Sequence, residues 1–285
     1  MKYIWLYIGL FLVGMVITYF HFSHKEISVI QYFPIDEERK FDTASTTLAF
    51  KESEGDDEYE VEWEVFSKSD QPAYLRQDIS LLYVNGRLKG VVNKWKQDVN
   101  EIHKLSYLHG EDTKRYEALS FHYGEFHENN VIKSIQAVSS DRLYIIDSPH
   151  TSRIAFHKPQ SPEEEQWQKK LDNSINQQLE AQWEELMDYY QLSTDQYIKA
   201  PLTELANYSK KNPFPYTDPA QFERIYGQLW EGLYKNYVLG IKDSNSTTHP
   251  IQSYEPLLLF DKKGTHLMVL FEDDKGENHQ LIQYY

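Results

Sequence analysis

The sequence predicts an α+β protein: an N-terminal transmembrane helix, an antiparallel β-rich region (sandwich or barrel-like), then two long amphipathic helices and a C-terminal β-meander. Three observations lead to this class. An uncharged apolar run fills residues 3–22, period-two alternation dominates residues 26–158, and helical periodicity begins after Pro159. We therefore expect a membrane anchor over 1–25, a β-rich exported region over 26–158, and a helical region with the meander over 159–285.

The first 25 residues are predicted to hold the chain in a membrane. Residues 3–22 contain no Asp, Glu, Lys or Arg, and a helix of about 20 residues spans the ~30 Å hydrocarbon layer. A cleaved signal peptide has a shorter apolar stretch, of about 7–15 residues, followed by a small-residue cleavage site. No such site follows here, so the sequence favours an uncleaved signal-anchor that contacts the lipid bilayer.

The predicted topology places the bulk of the chain outside the cytoplasm. A bare count of Lys and Arg slightly favours the opposite topology, because Lys2 precedes the apolar run and Lys25, Arg39 and Lys40 follow it. Long domains, however, translocate largely regardless of charge. We expect a single-pass protein of the cell membrane with an extracytoplasmic body.

The β-rich region is predicted from alternation and from a turn. In residues 57–66 the apolar side chains share one face, and four glutamates share the other, which is typical of a half-buried strand. Asn85-Gly86 separates two apolar runs and predicts a hairpin, because a type I′ turn needs positive φ at both positions. About ten short strands at near-regular spacing complete this region.

The helices are predicted from a helix N-cap signal and from apolar residues at helical spacing, and the meander is predicted from its turns. Ser161-Pro162 supplies a cap and a first-turn proline for a helix that runs to about Tyr190. A second helix is expected from Pro219 to about Val238, with a wide aromatic face that includes Trp230. Three strands follow, joined by links that contain glycine.

Composition excludes several classes of function. The 285 residues carry a formal net charge of −15, and an acidic chain repels phosphate backbones, so we expect no nucleic-acid partner. The chain has no cysteine, which excludes disulfides, thiolate metal sites and a cysteine nucleophile. The common hydrolase, zincin and nucleotide-binding motifs are absent from the sequence. We expect no cofactor and assign no catalytic residue.

Two local patterns are candidate sites. His122, Glu125 and His127 offer imidazole and carboxylate ligands for zinc, provided that a bulge at Gly124 brings His122 to the face of the other two. A solvated strand is the alternative interpretation. Phe214 and Tyr216 lie in a proline-rich loop outside the periodic elements, where aromatic side chains are typical of partner recognition. Packing against the neighbouring helices is the alternative there.

Two functions remain open. The first is a non-catalytic interaction, sensory or assembly role at the cell envelope, with another envelope protein as partner. The second is a membrane-tethered hydrolase, dependent on a metal or on carboxylates such as Glu125 and Asp147, that acts on cell-wall polymer or peptide. The plan of one anchor and one folded body resembles that of single-anchor bacterial envelope proteins, a likeness that assigns no role to any residue.

Overall fold

The computed structural model describes residues 33–52, 58–148, 151–207, 219–240, 242–243, 246–247 and 251–285. The predicted anchor and most of the predicted strand at residues 26–33 lie outside these ranges. Among the described residues, no helix combines the length and the apolar character needed to cross a bilayer. Residues 31–285 form one compact unit, so the predicted boundary at Pro159 lies inside that unit.

The chain is mostly β, so the predicted α+β class with two long amphipathic helices is wrong. Strands account for 57% of the structure and helices for 24%. Among the described residues, six strands form the first sheet: β1 (Phe41–Glu52), β2 (Tyr59–Val84), β3 (Arg87–Gly110), β4 (Lys114–Glu128), β5 (Val131–Ser148) and β6 (Thr151–Phe156). The strands are fewer and longer than predicted, because polar stretches that resemble turns lie inside β2, β3 and β5.

The remaining elements follow β6 in the chain. They are α1 (Pro162–Tyr189), a 3-10 turn (Thr194–Gln196), β7 (Tyr197–Pro201), a second 3-10 turn (Leu202–Glu204), α2 (Pro219–Leu233), a π-helical turn (Tyr234–Val238), β8 (Lys242–Asp243), β9 (Ser246–Thr247), β10 (Leu257–Asp261), β11 (His266–Glu272) and β12 (Asn278–Tyr284). Strands β7, β10, β11 and β12 form a second antiparallel sheet, in the order β12-β11-β10-β7. The last three strands therefore build a layer separate from the first sheet.

The first sheet bends back on itself within the β2–β3 hairpin. The N-terminal half of β2 pairs with β1, and its C-terminal half pairs with β4. Between Lys68 and Ala73, five steps along β2 match only two along β3, from Glu101 to Val99, and Asp98 has a φ of 51°. Extra residues of this kind bend a strand. The stretch 67–72 is thus a bend inside β2.

The bend encloses a hydrophobic core between the two halves of the first sheet. Trp63, Val61 and Leu48 from the outer half pack in one cluster with Leu82 and Tyr116 from the inner half. The opposite face of the inner half meets α2, where the rings of Phe121 and Trp230 stack at 4.8 Å between centroids. The C-terminal half of β2 and strand β4 are therefore covered on both faces.

The two helices cover the second sheet from opposite sides. Helix α1 begins at Ser161, whose Oγ accepts the backbone N–H of Glu164 at 3.2 Å. Its five buried side chains pack on β10 and β11, and none precedes position 175: Ile175, Leu179, Trp183, Leu186 and Met187. The apolar stripe is thus shorter than the helix. Helix α2 ends at Leu233 rather than near Val238. The chain continues from Tyr234 to Val238 as a π-helical turn.

Candidate functional site

The predicted metal ligands do not converge. Strand β4, which is described in full, keeps an unbroken register with β5, so the bulge expected at Gly124 is absent. Glu125 and His127 share one face, with 3.1 Å between Oε2 and Nε2. His122 lies on the opposite face, where it is fully buried. These three side chains therefore do not form one ligand set.

The other residues singled out by sequence lie apart from one another. Glu125 is near the turn that joins β4 to β5, whereas Asp147 is at the far end of that pair of strands. The Asp147 carboxylate accepts a hydrogen bond from Arg153 at 2.9 Å. The two carboxylates thus do not face each other across a cleft. Phe214 and Tyr216 lie outside the described residues.

His122 instead belongs to a buried polar network on the inner face of the bent sheet. Its Nε2 is 2.8 Å from Ser139 Oγ, and its Nδ1 is 3.1 Å from Asp78 Oδ2. Despite this short distance, Nδ1 makes no hydrogen bond to a described residue. The order of groups matches the serine–histidine–aspartate arrangement of nucleophilic hydrolases.

Beyond Ser139, the hydroxyl groups of Thr46, Ser120 and Ser80 form a chain of hydrogen bonds, which we call the hydroxyl chain. It runs in the direction opposite to the one that a nucleophilic Ser139 needs. Ser80 Oγ donates to the carbonyl of Leu119, Ser120 Oγ donates to Ser80, and Thr46 Oγ1 donates to Ser120. A hydroxyl has one proton, so Thr46 accepts from Ser139, with 2.6 Å between the oxygens. The proton of Ser139 therefore points towards Thr46.

The direction of the Ser139 hydroxyl also sets the role of the His122 nitrogen that faces it. Because Ser139 donates to Thr46, His122 Nε2 is the donor in the bond to Ser139. A nucleophilic serine needs the reverse, in which its hydroxyl donates to the histidine. A cavity of about 270 Å³ adjoins this group, with Thr46, Ser139 and Ser140 in its wall.

Arg76 and Asp78 complete the network at the bend. Both side chains are fully buried, and Arg76 Nη2 lies 3.9 Å from Asp78 Oδ1. Ser67 donates to Asp78 Oδ2 at 2.6 Å. A buried ion pair needs such additional hydrogen bonds to offset the cost of removing both charges from water.

A second site, which we call the acidic cavity, lies between the first sheet, α1 and the segment after β7. Its volume is about 230 Å³, and its charged walls include Arg115, Glu117, Arg142, Asp172, Glu204 and Glu255. Glu117 lies between two arginines: Arg115 Nη2 is 2.6 Å from its Oε2, and Arg142 Nε donates to its Oε1 at 2.7 Å. Glu117 thus contacts both guanidinium groups.

Glu255 is the exceptional group of the acidic cavity. It is 2% exposed, and its Oε1 accepts the backbone N–H of Thr203 at 2.6 Å. Its Oε2 has no hydrogen-bond partner among the described residues. Burial, and then the negative charge of Glu117, raises the pKa of Glu255 to about 8. The cavity therefore holds a neutral carboxylic acid near the carboxylate of Glu117 at neutral pH.

A third cluster lies in the turn between β11 and β12. Ligand atoms of Asp273, Glu277 and His279 lie within 4.8 Å of one another. Asp273 already accepts the backbone N–H groups of Lys275 and Glu277, and its Oδ2 is 2.9 Å from His279 Nε2. These bonds account for the cluster as a hairpin turn.

Comparison with known proteins returns no relative: no family model, no curated protein and no solved structure matches the chain. The chemistry of the His122 network and of the acidic cavity therefore rests on their geometry.

Sequence reasoning missed the decisive partners in both sites. Asp78 and Arg76 precede an apolar run, and a charged pair at the start of a fully buried strand is a signal that could have been used. Ser139 and Glu255 carry no such signal. Their importance depends on contacts with residues 17 and 138 positions away, namely His122 and Glu117.

The raised pKa of Glu255 predicts how stability depends on pH. The unfolded chain loses this proton near a glutamate's ordinary pKa of 4.5, while the folded chain keeps it up to about 8. Stability should fall as pH rises across this window. Glu255→Gln imitates the protonated acid, so the variant should match wild type at pH 5 and exceed its free energy of unfolding by at least ~1 kcal/mol at pH 9.

Urea unfolding of the full chain in detergent at both pH values measures this difference. Glu184→Gln, an exposed change on α1, is the matched control and should keep a constant offset from wild type. A constant offset for Glu255→Gln as well would contradict the assignment.

Proposed function

We propose that this protein is a single-pass membrane protein of the cell envelope whose extracytoplasmic body has a non-catalytic interaction, sensory or assembly role. The uncharged run at residues 3–22 supports the tether. The non-catalytic role of the body is supported by the direction of the hydrogen bonds that run from Ser139 to the carbonyl of Leu119.

That direction argues against covalent catalysis at Ser139. The hydroxyl of Ser139 donates to Thr46, and His122 donates to Ser139, so no base is set to take the serine proton. The network instead joins β1 to strands β2, β4 and β5 through bonds that are buried at Ser120 and part-buried at Ser139. Its role in this proposal is to hold the bent sheet together.

The outer face of the bent sheet offers a surface for a protein partner. Tyr107 is 49% exposed, and its neighbours across the strand pair, Glu62 and Glu64, lie on the same face as Leu105. Aromatic side chains are enriched in protein interfaces. The acidic row favours a partner with basic groups.

A membrane-tethered hydrolase is the second candidate, because the distances at His122 match those of a catalytic triad. A fluorophosphonate probe, which labels activated serines, separates the two functions. We expect no labelling of the full chain in native membranes, and none of Ser139→Ala or of the neighbouring control Ser140→Ala. Labelling of wild type and Ser140→Ala that is lost only in Ser139→Ala would establish the hydrolase.

Cysteine labelling tests the membrane topology. The chain has no cysteine, so Gln177→Cys on the exposed face of α1 provides a single reactive site. A membrane-impermeant maleimide should label this variant in intact cells, because the body is outside. Labelling that needs cell lysis would reverse the topology, and recovery of the protein in the soluble fraction would remove the anchor.

A further inference from the structure

We infer that the acidic cavity is a binding site for a small primary amine, bound as its ammonium ion, with Glu255 as the group that pairs with its charge. This inference goes beyond the proposed function and does not depend on the membrane topology or on the role of Ser139. It depends on four features of the cavity: a free acceptor, a charge imbalance, its size, and its apolar wall.

The free acceptor is Glu255 Oε2. This oxygen is buried and has no partner within the described part of the chain, although Oε1 of the same group is fixed by Thr203. Buried polar atoms in native proteins are nearly always paired, and an exception calls for an explanation. An ammonium group bound in the cavity that Glu255 lines supplies the missing bond once Oε2 has lost its proton.

The charge imbalance selects a cation. Besides Glu255, the described walls hold four carboxylates against two guanidinium groups. Arg115 and Arg142 are paired with Glu117, Asp172 and Glu204, and Lys199, which is not in the wall, pairs with Glu180. The cavity is therefore negative before Glu255 ionises. An anionic ligand would add to this repulsion, whereas an ammonium group offsets it.

The arrangement favours an organic ammonium over a metal ion. A metal needs several ligand atoms at one point, and in the parts of the chain that the structure describes, the carboxylates of this cavity form no cluster within ligand distance. The walls also include Leu179, Trp183 and Pro201, which suit a short alkyl chain. A volume of about 230 Å³ limits the ligand to a few carbon atoms.

Binding should release the proton of Glu255. The ammonium ion keeps its three N–H bonds, the O–H bond of Glu255 breaks, and the proton goes to solvent as the carboxylate pairs with the cation. One positive charge enters the cavity and one leaves as the proton. Proton release is therefore a signature that a merely hydrophobic ligand would not give.

Titration calorimetry of the full chain in detergent with n-butylammonium tests the site. At pH 7, measured in two buffers of different ionisation enthalpy, we expect one ligand bound and close to one proton released. The ammonium ion should bind at least tenfold more tightly than n-butanol, which has the same chain without the charge. Glu255→Gln should weaken binding at least tenfold and abolish proton release, while Glu184→Gln leaves both unchanged.

A measurement on the wild-type chain keeps the test independent of how the variant folds. Near pH 9.5 Glu255 is already ionised, so n-butylammonium should bind with little proton release. No binding of n-butylammonium, equal binding of n-butanol, unchanged binding by folded Glu255→Gln, or the same proton release at both pH values would each overturn the inference.

Discussion

The guanidinium of Arg76 joins the two halves of the bent sheet, and the rest of the structure depends on this connection. It donates to Ser69 Oγ at 2.8 Å and to Ser67 Oγ, both on the outer half of β2. It also donates to the carbonyls of Tyr123 on β4 at 3.3 Å and of Asn100 on β3 at 3.2 Å. No water competes for these bonds, since the side chain is fully buried. Arginine suits this position because its planar head carries five donors.

Burial of the central strands on both faces explains the polar network and the direction of its bonds. Once the outer half of the sheet covers the inner half, the side chains of Ser80, Ser120 and His122 must find partners within the protein. They do so in a single hydroxyl chain that ends at a backbone carbonyl. The carbonyl of Leu119 can only accept, so it sets the donor and acceptor of every bond in the hydroxyl chain, including the bond at Ser139. The triad-like distances among Ser139, His122 and Asp78 thus arise from the need to pair buried polar groups.

The acidic cavity has a different origin, because it lies where separate layers meet. Glu117 comes from the first sheet, Asp172 from α1, and Glu255 from the segment that precedes β10. Each layer brings charged groups to this junction. The arginines pair with Glu117, Asp172 and Glu204, and Lys199 pairs with Glu180, so Glu255 is left without an ion pair among the described residues. That excess is what makes the cavity suited to a cationic ligand.

Local signals in the sequence predicted turns and helix caps correctly. They failed where the structure depends on contacts with residues far away in the sequence. The Asn85-Gly86 turn has the expected positive φ values of 50° and 76°, and Ser161 caps α1 as its position indicates. The polar stretch at residues 67–72 resembles a loop in sequence but lies inside β2, because its serines are satisfied by Arg76 rather than by solvent.

Candidate sites failed for the same reason. The sequence pointed to His122 as a zinc ligand beside Glu125 and His127, yet its neighbours come from β2 and β5 rather than from its own strand. Period-two patterning reports the face on which a side chain lies. It does not report which strand supplies the neighbour.

Amide hydrogen exchange of Arg76→Lys tests most directly whether Arg76 holds the bent sheet together. Lysine keeps the charge but cannot reach both serines and both carbonyls from one ammonium group. The amide of Leu48, which donates to Asp141 across the two halves, should exchange at least tenfold faster in the variant, together with the other amides of β1. Amides of α1 and of β10 and β11 should keep their wild-type rates. Unchanged exchange at Leu48 would show that the two halves stay together without Arg76, and would contradict the account.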